Sequence, residues 1–381
     1  MINSTADDLA TKLAATGALT HPRWREAVKA VPREAFLGDA VYRPVDGERE
    51  TMWQPVHRTD SGEGEWSRLA YADETWVTQV NGVLAEDAPG PMTGDPTSSA
   101  TLPSLVVRML EAAQIAEGDK VLEIGTGTGY STALLSYRLG DHAVTSIEYD
   151  RSAAARAAVA ITAVGYTPAL VVGDGLGGYE KNAEYDRLIA TCSVRYIPAP
   201  WMWQVRDGGT ITTPLSGWMT GSALAHLTLS DDGTASGRFH EQNVSFMPAR
   251  QHSRPPRPSY LRTGLGDAGE SRIDPGVLDD WTGLFVAQLG APSAEKLGGG
   301  DDVFLLDVAT GSQATTERSA SGGWTVRQHG PLRLWDAVEN AILTWQQAGS
   351  PHQSAFGLTV TRSRQYIWLE RPEGPSWNLP I

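Results

Sequence analysis

Apolar positions recur at helical spacing from the start of the chain: Leu9 and Leu13, then Trp24, Val28 and Val31. They predict an N-terminal helical segment. A glycine-bearing stretch with Trp53, Trp66 and Trp76 follows. Leu105, Val106, Met109 and Leu110 predict the buried face of a helix with Pro103 in its first turn. Next, the apolar run Val121, Leu122, Ile124 feeds a glycine-rich turn of Gly125, Thr126, Gly127, Thr128 and Gly129. Helix formers Ser131, Ala133, Leu134 and Leu135 come after it. This is the strand–turn–helix start of a βαβ unit. Farther on, His226 to Leu229 and Gly237 to Phe239 flank the turn Asp231, Asp232, Gly233, Thr234 and predict a hairpin. Val303 to Leu306 reads as a strand. Leu334, Trp335, Val338, Ala341, Ile342 and Trp345 recur at helical spacing, with the two tryptophans read as core. Gly357 to Thr361 and Tyr366 to Leu369 predict a second hairpin across Arg362, Ser363 and Arg364. No internal repeat is evident.

The pattern divides the chain into an N-terminal helical, cleft-forming region (1–95), an α/β nucleoside-binding domain (96–250), a Pro/Arg-rich linker (251–266) and a C-terminal α+β domain (267–381). The glycine turn lets backbone approach a flat ligand closely. Glu148 closes the next apolar run, 19 positions beyond Gly129. From there its carboxylate can accept both hydroxyls of a ribose. The spacing is G-x-G-x-G rather than G-x-G-x-x-G, and no P-loop lysine follows. A negative Glu123, two residues before the first glycine, opposes a pyrophosphate. A positively charged nucleoside fits better, and S-adenosyl-L-methionine is the common one.

Composition narrows the classes. A chain of 381 residues with 41% hydrophobic residues can bury a sizeable core. No apolar run approaches the ~18 residues of a membrane span. The N-terminal Met1, Ile2, Asn3 and Ser4 and the acidic residues after them do not read as a signal peptide. One cysteine, Cys192, excludes an internal disulfide and fits a reducing cytoplasm; it is read as a buried strand-end residue rather than a nucleophile. The eight histidines show no metal spacing. Net charge −14 argues against nucleic acid and anionic membrane as partners. An anionic acceptor would then need a local positive site. Arg250, Arg254, Arg257 and Arg262 are the candidates, with a plain proline-rich linker as the other reading. Oligomeric state stays open.

Several motifs occur in a fixed order. They are Val31, Pro32, Arg33 and Phe36; Thr97, Ser98 and Ser99 before Pro103; Gly173, Asp174 and Gly175; Tyr185 and Asp186; Ile197 and Pro198; and Gln204 with Gly208, Gly209 and Pro214. Over about residues 20 to 250 the chain resembles the protein L-isoaspartyl O-methyltransferases. That resemblance implies an α/β, Rossmann-like methyltransferase fold with S-adenosyl-L-methionine as cofactor. It implies that Ser98 and Ser99 stand near the methyl-transfer point; capping of the following helix is the competing role. It implies that Asp174 contacts the adenine edge, with a turn aspartate as the alternative. The candidate cofactor residues are Glu123, Gly125, Thr126, Gly127, Thr128, Gly129, Tyr130, Glu148, Tyr149, Gly173, Asp174 and Gly175. Trp76, Tyr130 and Arg195 are candidates for lining the acceptor cleft. No metal is expected.

The region after residue 267 departs from the repair enzymes, which are expected to end soon after the α/β unit. Arg333, Leu334, Trp335 and Asp336, Phe356 to Thr361, Ile367, Trp368 and Leu369, and also Phe246, Met247 and Pro248, resemble extended methyltransferases of ribosomally made, modified peptides, such as the ATP-grasp (graspetide), lanthipeptide and lasso peptide systems. This implies as partner a cyclised precursor peptide with an acceptor aspartate. An aspartate, with a pKa near ~3.9, is already an anion at neutral pH and needs no general base. Its methyl ester can be attacked by the next backbone nitrogen, closing to aspartimide with loss of methanol. The alternatives are a general isoaspartate-repair enzyme and a non-catalytic peptide-binding module.

Overall fold

The computed structural model describes residues 5–45, 51–258, 264–320 and 322–381. Met1 to Ser4 and Arg262 therefore lie outside the described residues. By contact the chain forms two units: Met1–Thr191 with Trp203–Thr212, and Cys192–Met202 with Thr213–Ile381.

In the first unit, helix Ala6–Ala15 starts on a reciprocal Thr5/Asp8 cap, and helix Pro22–Ala30 has proline in its first turn. Leu9, Leu13, Trp24, Val28 and Val31 are all buried, as their spacing predicts. The stretch after them is not simply helical. It forms an antiparallel sheet that includes Ala40–Val45, Met52–His57, Trp76–Val80 and Pro96–Ala100. Helix Glu63–Ala70 places Trp66 and Leu69 in a cluster with Leu37, Val41 and Ala100. Short strands, two of them with an internal proline (Pro44 and Pro55), leave too little alternation to be read from sequence.

The second layer of this unit is parallel. Strand Val121–Ile124 lies between Val144–Glu148, followed outward by Ala169–Val172, on one side and Tyr185–Ala190 on the other. Val205–Ser216 pairs in parallel beyond Tyr185–Ala190. All four residues are buried, which is why Val121, Leu122 and Ile124 read as an apolar run around Glu123. Helix Pro103–Ala112 begins with its proline. Val107, not the predicted Val106, joins Leu105, Met109 and Leu110 in the core.

The second unit is α+β. Strands Ser222–Leu229, Ala235–Phe239, Phe356–Val360, Gln365–Leu369 and Ser376–Asn378 pair antiparallel in that order, including both predicted hairpins. A five-stranded antiparallel sheet contains Asp302–Asp307. Helix Leu334–Gln347 carries Trp335 and Trp345, both buried as expected. Phe285 meets Phe239 and Phe356 edge-on, at 5.2 and 5.7 Å.

Candidate active site

The parallel sheet collects the candidate residues at one edge. Val121–Ile124 runs into Gly125, Val144–Glu148 ends on Glu148, Ala169–Val172 runs into Gly173 and Asp174, and Tyr185–Ala190 runs into Thr191. Since these strands are parallel, all four carboxyl ends face the same way. Chain order reverses direction between Val121–Ile124 and Tyr185–Ala190. Ligands of open α/β sheets bind outside such a switch point.

The glycine turn is shaped by its backbone. Gly127 has φ +55° and Gly129 has φ +94°, left-handed conformations that a branched side chain resists. A Cβ on Gly129 would also stand 2.9 Å from Ile161. Glu148 locks the turn: one carboxylate oxygen accepts the Gly127 N–H at 2.8 Å and the other the Asp150 N–H at 2.9 Å. Thr191 ties the neighbouring strand end to the turn, donating its Oγ1 proton to the Gly125 carbonyl at 2.5 Å. Thr128 is half-buried and Tyr149 is half exposed.

Several candidates serve differently from expectation. Glu123 is wholly buried and accepts hydroxyl protons from Ser131, Thr132 and Ser146 at 2.5, 2.5 and 2.7 Å. Burial pushes its pKa up, while these hydrogen bonds pull the other way. It is a buried cross-link, not a carboxylate presented to a ligand. Thr126 is buried and shares a hydrogen bond with Ser146 at 2.7 Å. Tyr130 is buried against Phe36, with ring centroids 5.7 Å apart, and burial raises its hydroxyl pKa. It faces the core rather than a cleft. Asp174 is exposed, and its Oδ1 accepts the Leu176 N–H at 3.0 Å, the geometry of a turn aspartate. Gly175 is buried where a Cβ would stand 2.4 Å from Ile124.

Ser98 and Ser99 lie in strand Pro96–Ala100, half-buried. The helix-capping reading does not hold, because helix Pro103–Ala112 starts from Leu102 with no side-chain cap. Its first N–H groups are taken by others: Leu102 donates to Thr75 and Ser104 to Asp73, at 3.0 and 2.8 Å. The strand has register irregularities opposite Val77, Gln79 and Val80, which re-aim the serines. The Ser99 carbonyl oxygen is 3.9 Å from where a Gly127 Cβ would be, so this strand passes beside the glycine turn. Alanine at either serine is therefore expected to leave the melting temperature nearly unchanged. At the serine that meets the acceptor, kcat/KM should fall about tenfold or more, the cost of a hydrogen bond to a charged group. Single-turnover rates and melting curves on the same variants check this. Normal rates in both variants would remove the serines from the reaction.

Arg33, quoted above only as part of a motif, is a residue whose importance the sequence hides. It is 1% exposed. Its guanidinium donates to the carbonyls of Ala70, Ala72 and Glu74 (2.5, 3.2, 2.9 Å) and of Ala100 and Thr101 (both 3.2 Å). It rivets the serine strand to the turn after helix Glu63–Ala70. Trp76 donates its indole N–H to Leu69 at 3.0 Å, a structural use.

In the second unit, Arg195 lies 3.7 Å over the Trp218 ring and donates to the Pro292 carbonyl at 2.9 Å. The arginine-rich stretch is partly neutralised: Arg257 and Arg254 stand 2.5 and 3.8 Å from the buried Glu295 carboxylate. Cys192 is half-buried rather than buried. Among the described residues no group of His, Cys, Asp and Glu could hold a metal ion, and no helix is long and apolar enough to cross a membrane.

Residues 67–254 match the model of the protein-L-isoaspartate(D-aspartate) O-methyltransferase family. Protein-L-isoaspartate O-methyltransferase 2 of Archaeoglobus fulgidus is 37% identical over 43% of this chain and 74% of its own. The protein-L-isoaspartate O-methyltransferase of Ignicoccus hospitalis is 39% identical over 34% of this chain and 62% of its own. A solved protein-L-isoaspartate O-methyltransferase structure superposes with TM-score 0.56 and 18% identity, covering 96% of this chain and all of its own. An enzyme of that name can thus share the fold beyond the α/β unit, contrary to the expectation that such enzymes end there. The cofactor is S-adenosyl-L-methionine, and the chain belongs to the protein-L-isoaspartate O-methyltransferase family of carboxyl O-methyltransferases.

Proposed function

We propose that this protein methylates an isoaspartyl-type carboxylate on a protein or peptide chain. The passage of the Ser98/Ser99 strand beside the Gly127 turn carries this reading, because it brings a hydroxyl-bearing strand, through the Ser99 backbone, next to the residues that would fit the cofactor. Gly125, Gly127 and Gly129 would lie against the nucleoside, and Glu148 would accept the ribose hydroxyls. When bound, the cofactor supplies a sulfonium methyl group; a carboxylate oxygen takes it up, forming the ester C–O bond as the S–C bond breaks. The acceptor is already ionised, so the residues need only orient it and exclude water. Ser98 or Ser99 would hold an acceptor oxygen. The single cysteine supports a reducing, cytoplasmic setting.

A narrower reading has one aspartate of a cyclised precursor peptide as acceptor, its ester closing to aspartimide. Its support is the sequence of the C-terminal region, including Arg333 to Asp336 and Phe356 to Thr361. A macrocycle that holds the next backbone nitrogen against the ester would speed closure by proximity. Mass spectrometry separates the two. For isoaspartyl methylation, unrelated linear isoaspartyl peptides should each gain one CH2. If they stay unchanged while a cyclised aspartyl peptide gains one CH2 and then settles one water below its starting mass, the narrower reading replaces the broader. Failure to bind S-adenosyl-L-methionine would leave only a peptide-binding module.

A further inference from the structure

An anionic acceptor on a chain of net charge −14 calls for a local cation, and the first unit holds one with no structural task. Among the described residues of that unit, the arginines that are not exposed are Arg33, Arg43, Arg138, Arg156 and Arg187. All but Arg43 are committed to the fold. Arg33 has its five carbonyls, and Arg138 donates to Ile115. Arg156 donates to Leu37 beside Glu86, and Arg187 to Gln114 beside Asp119. Arg43 makes no hydrogen bond or ion pair among the described residues, and its Nε is buried without an acceptor.

What it has instead is a ring. The guanidinium carbon lies 5.4 Å from the centroid of Trp76, within cation–π range. Trp76 is fixed by its indole bond to Leu69. Strand pairing explains the placement. Tyr42 stands opposite Val77, and Trp76 opposite Ala100, all in antiparallel register. Arg43, Trp76 and Ala100 therefore form one cross-strand row. Side chains alternate along a strand, so Ser98 shares the face of Ala100 and Arg43, while Ser99 takes the other. The packing agrees: Val41, Trp76 and Ala100 meet in one cluster, Tyr42 and Val77 in another. With about 4.8 Å between strands and about 3.3 Å per residue, the Arg43 and Ser98 Cα atoms are ~12 Å apart, a length that about four residues of extended peptide span.

We propose that Arg43 is a specificity-determining residue: stacked on Trp76, it pairs with an acidic side chain of the peptide within about four residues of an acceptor held at Ser98. This deepens the methyl-transfer reading and rests on it. A guanidinium is a planar fork that takes a carboxylate through two N–H groups, and the ring beneath Arg43 limits the freedom lost on pairing. Arg43 precedes the family match, whereas Trp76 and Ser98 fall inside it, so the preference is a property of this chain added to the family's site. It also runs against the net charge, which by itself favours basic peptides.

The test uses the full chain as wild type, Arg43→Gln and Arg43→Lys, with two linear isoaspartyl peptides that carry glutamate or glutamine at the positions flanking the acceptor. Calorimetry with S-adenosyl-L-homocysteine present gives peptide affinity, and initial rates with S-adenosyl-L-methionine separate KM from kcat. The wild type should bind the glutamate peptide about fivefold more tightly than the glutamine peptide, with the advantage shrinking as salt rises. Arg43→Gln should erase that preference by raising Kd and KM for the glutamate peptide, with kcat little changed. Arg43→Lys, a point charge, should keep part of it. No preference in the wild type, or one that survives Arg43→Gln, would overturn the proposal. So would an equal loss on both peptides, because Arg43 would then serve the acceptor itself or the fold. If Arg43→Gln does not fold, Arg43→Lys decides: a reduced preference supports the proposal and a wild-type preference overturns it. Glutamate-selective binding through Arg43 without methyl transfer would sink the methyl-transfer reading and leave the Arg43 subsite standing. Methylation of both peptides alike would do the reverse.

Discussion

Replacing Glu148 with alanine should weaken S-adenosyl-L-methionine binding by ~1.5 kcal/mol or more, roughly tenfold. Two losses combine. The carboxylate is the charged acceptor at the end of strand Val144–Glu148, the position proposed for the ribose. It also holds the Gly127 and Asp150 N–H groups, at 2.8 and 2.9 Å, so its removal frees the turn that must lie against the nucleoside. Glu148→Gln should fall between wild type and alanine. Its oxygen can still accept one N–H, while its NH2 meets the other N–H donor to donor. Gly127→Val should bind poorly for another reason, since φ +55° strains a β-branched residue. Calorimetric titration, with circular dichroism to verify folding, measures all three. Wild-type affinity in a folded Glu148→Ala variant would move the ribose site elsewhere.

Arg33→Ala should cost at least ~3 kcal/mol of stability, more than most single substitutions. Five carbonyls from two segments converge on this guanidinium, and alanine leaves them without a donor in a buried place. Burial lowers the Arg33 pKa to about 10, with Tyr130, Asp73 and Glu74 acting in the other direction. The group therefore remains a cation at neutral pH. Lysine is not a substitute, because three donors on a point charge cannot reach all the carbonyls that a planar fork reaches. Urea denaturation of Arg33→Ala and Arg33→Lys should place both midpoints well below wild type, alanine lowest. A loss under ~0.5 kcal/mol, typical of a surface change, would mean the rivet is not needed.

Much of the site was legible because its determinants are local. A glycine turn between an apolar run and helix formers can be read within about ten residues, and Glu148 follows by the spacing of one βαβ unit. Pro103 at a helix start, the two hairpins and the buried Trp335/Trp345 stripe are local as well. What could not be read depends on partners distant in sequence. Glu123 looks the same in a string whether it faces a ligand or three hydroxyls, and one of those, Ser146, arrives from the next strand. Ser98 and Ser99 lose the capping role only because Thr75 and Asp73 already hold the helix start. The arginine-rich stretch is partly neutralised by Glu295, 38 positions beyond Arg257.

The sequence by itself determined the glycine turn, the strand–turn–helix start that it opens and the class of chemistry, since backbone freedom at glycine and hydrophobic periodicity act over a few residues. The tertiary structure alone decided which polar groups remain available to a ligand. Burial makes each such group find a partner, and that partner is chosen by the packing of segments far apart in the chain, as with Arg33 and the Ala100 carbonyl or Gln365 and Ile197.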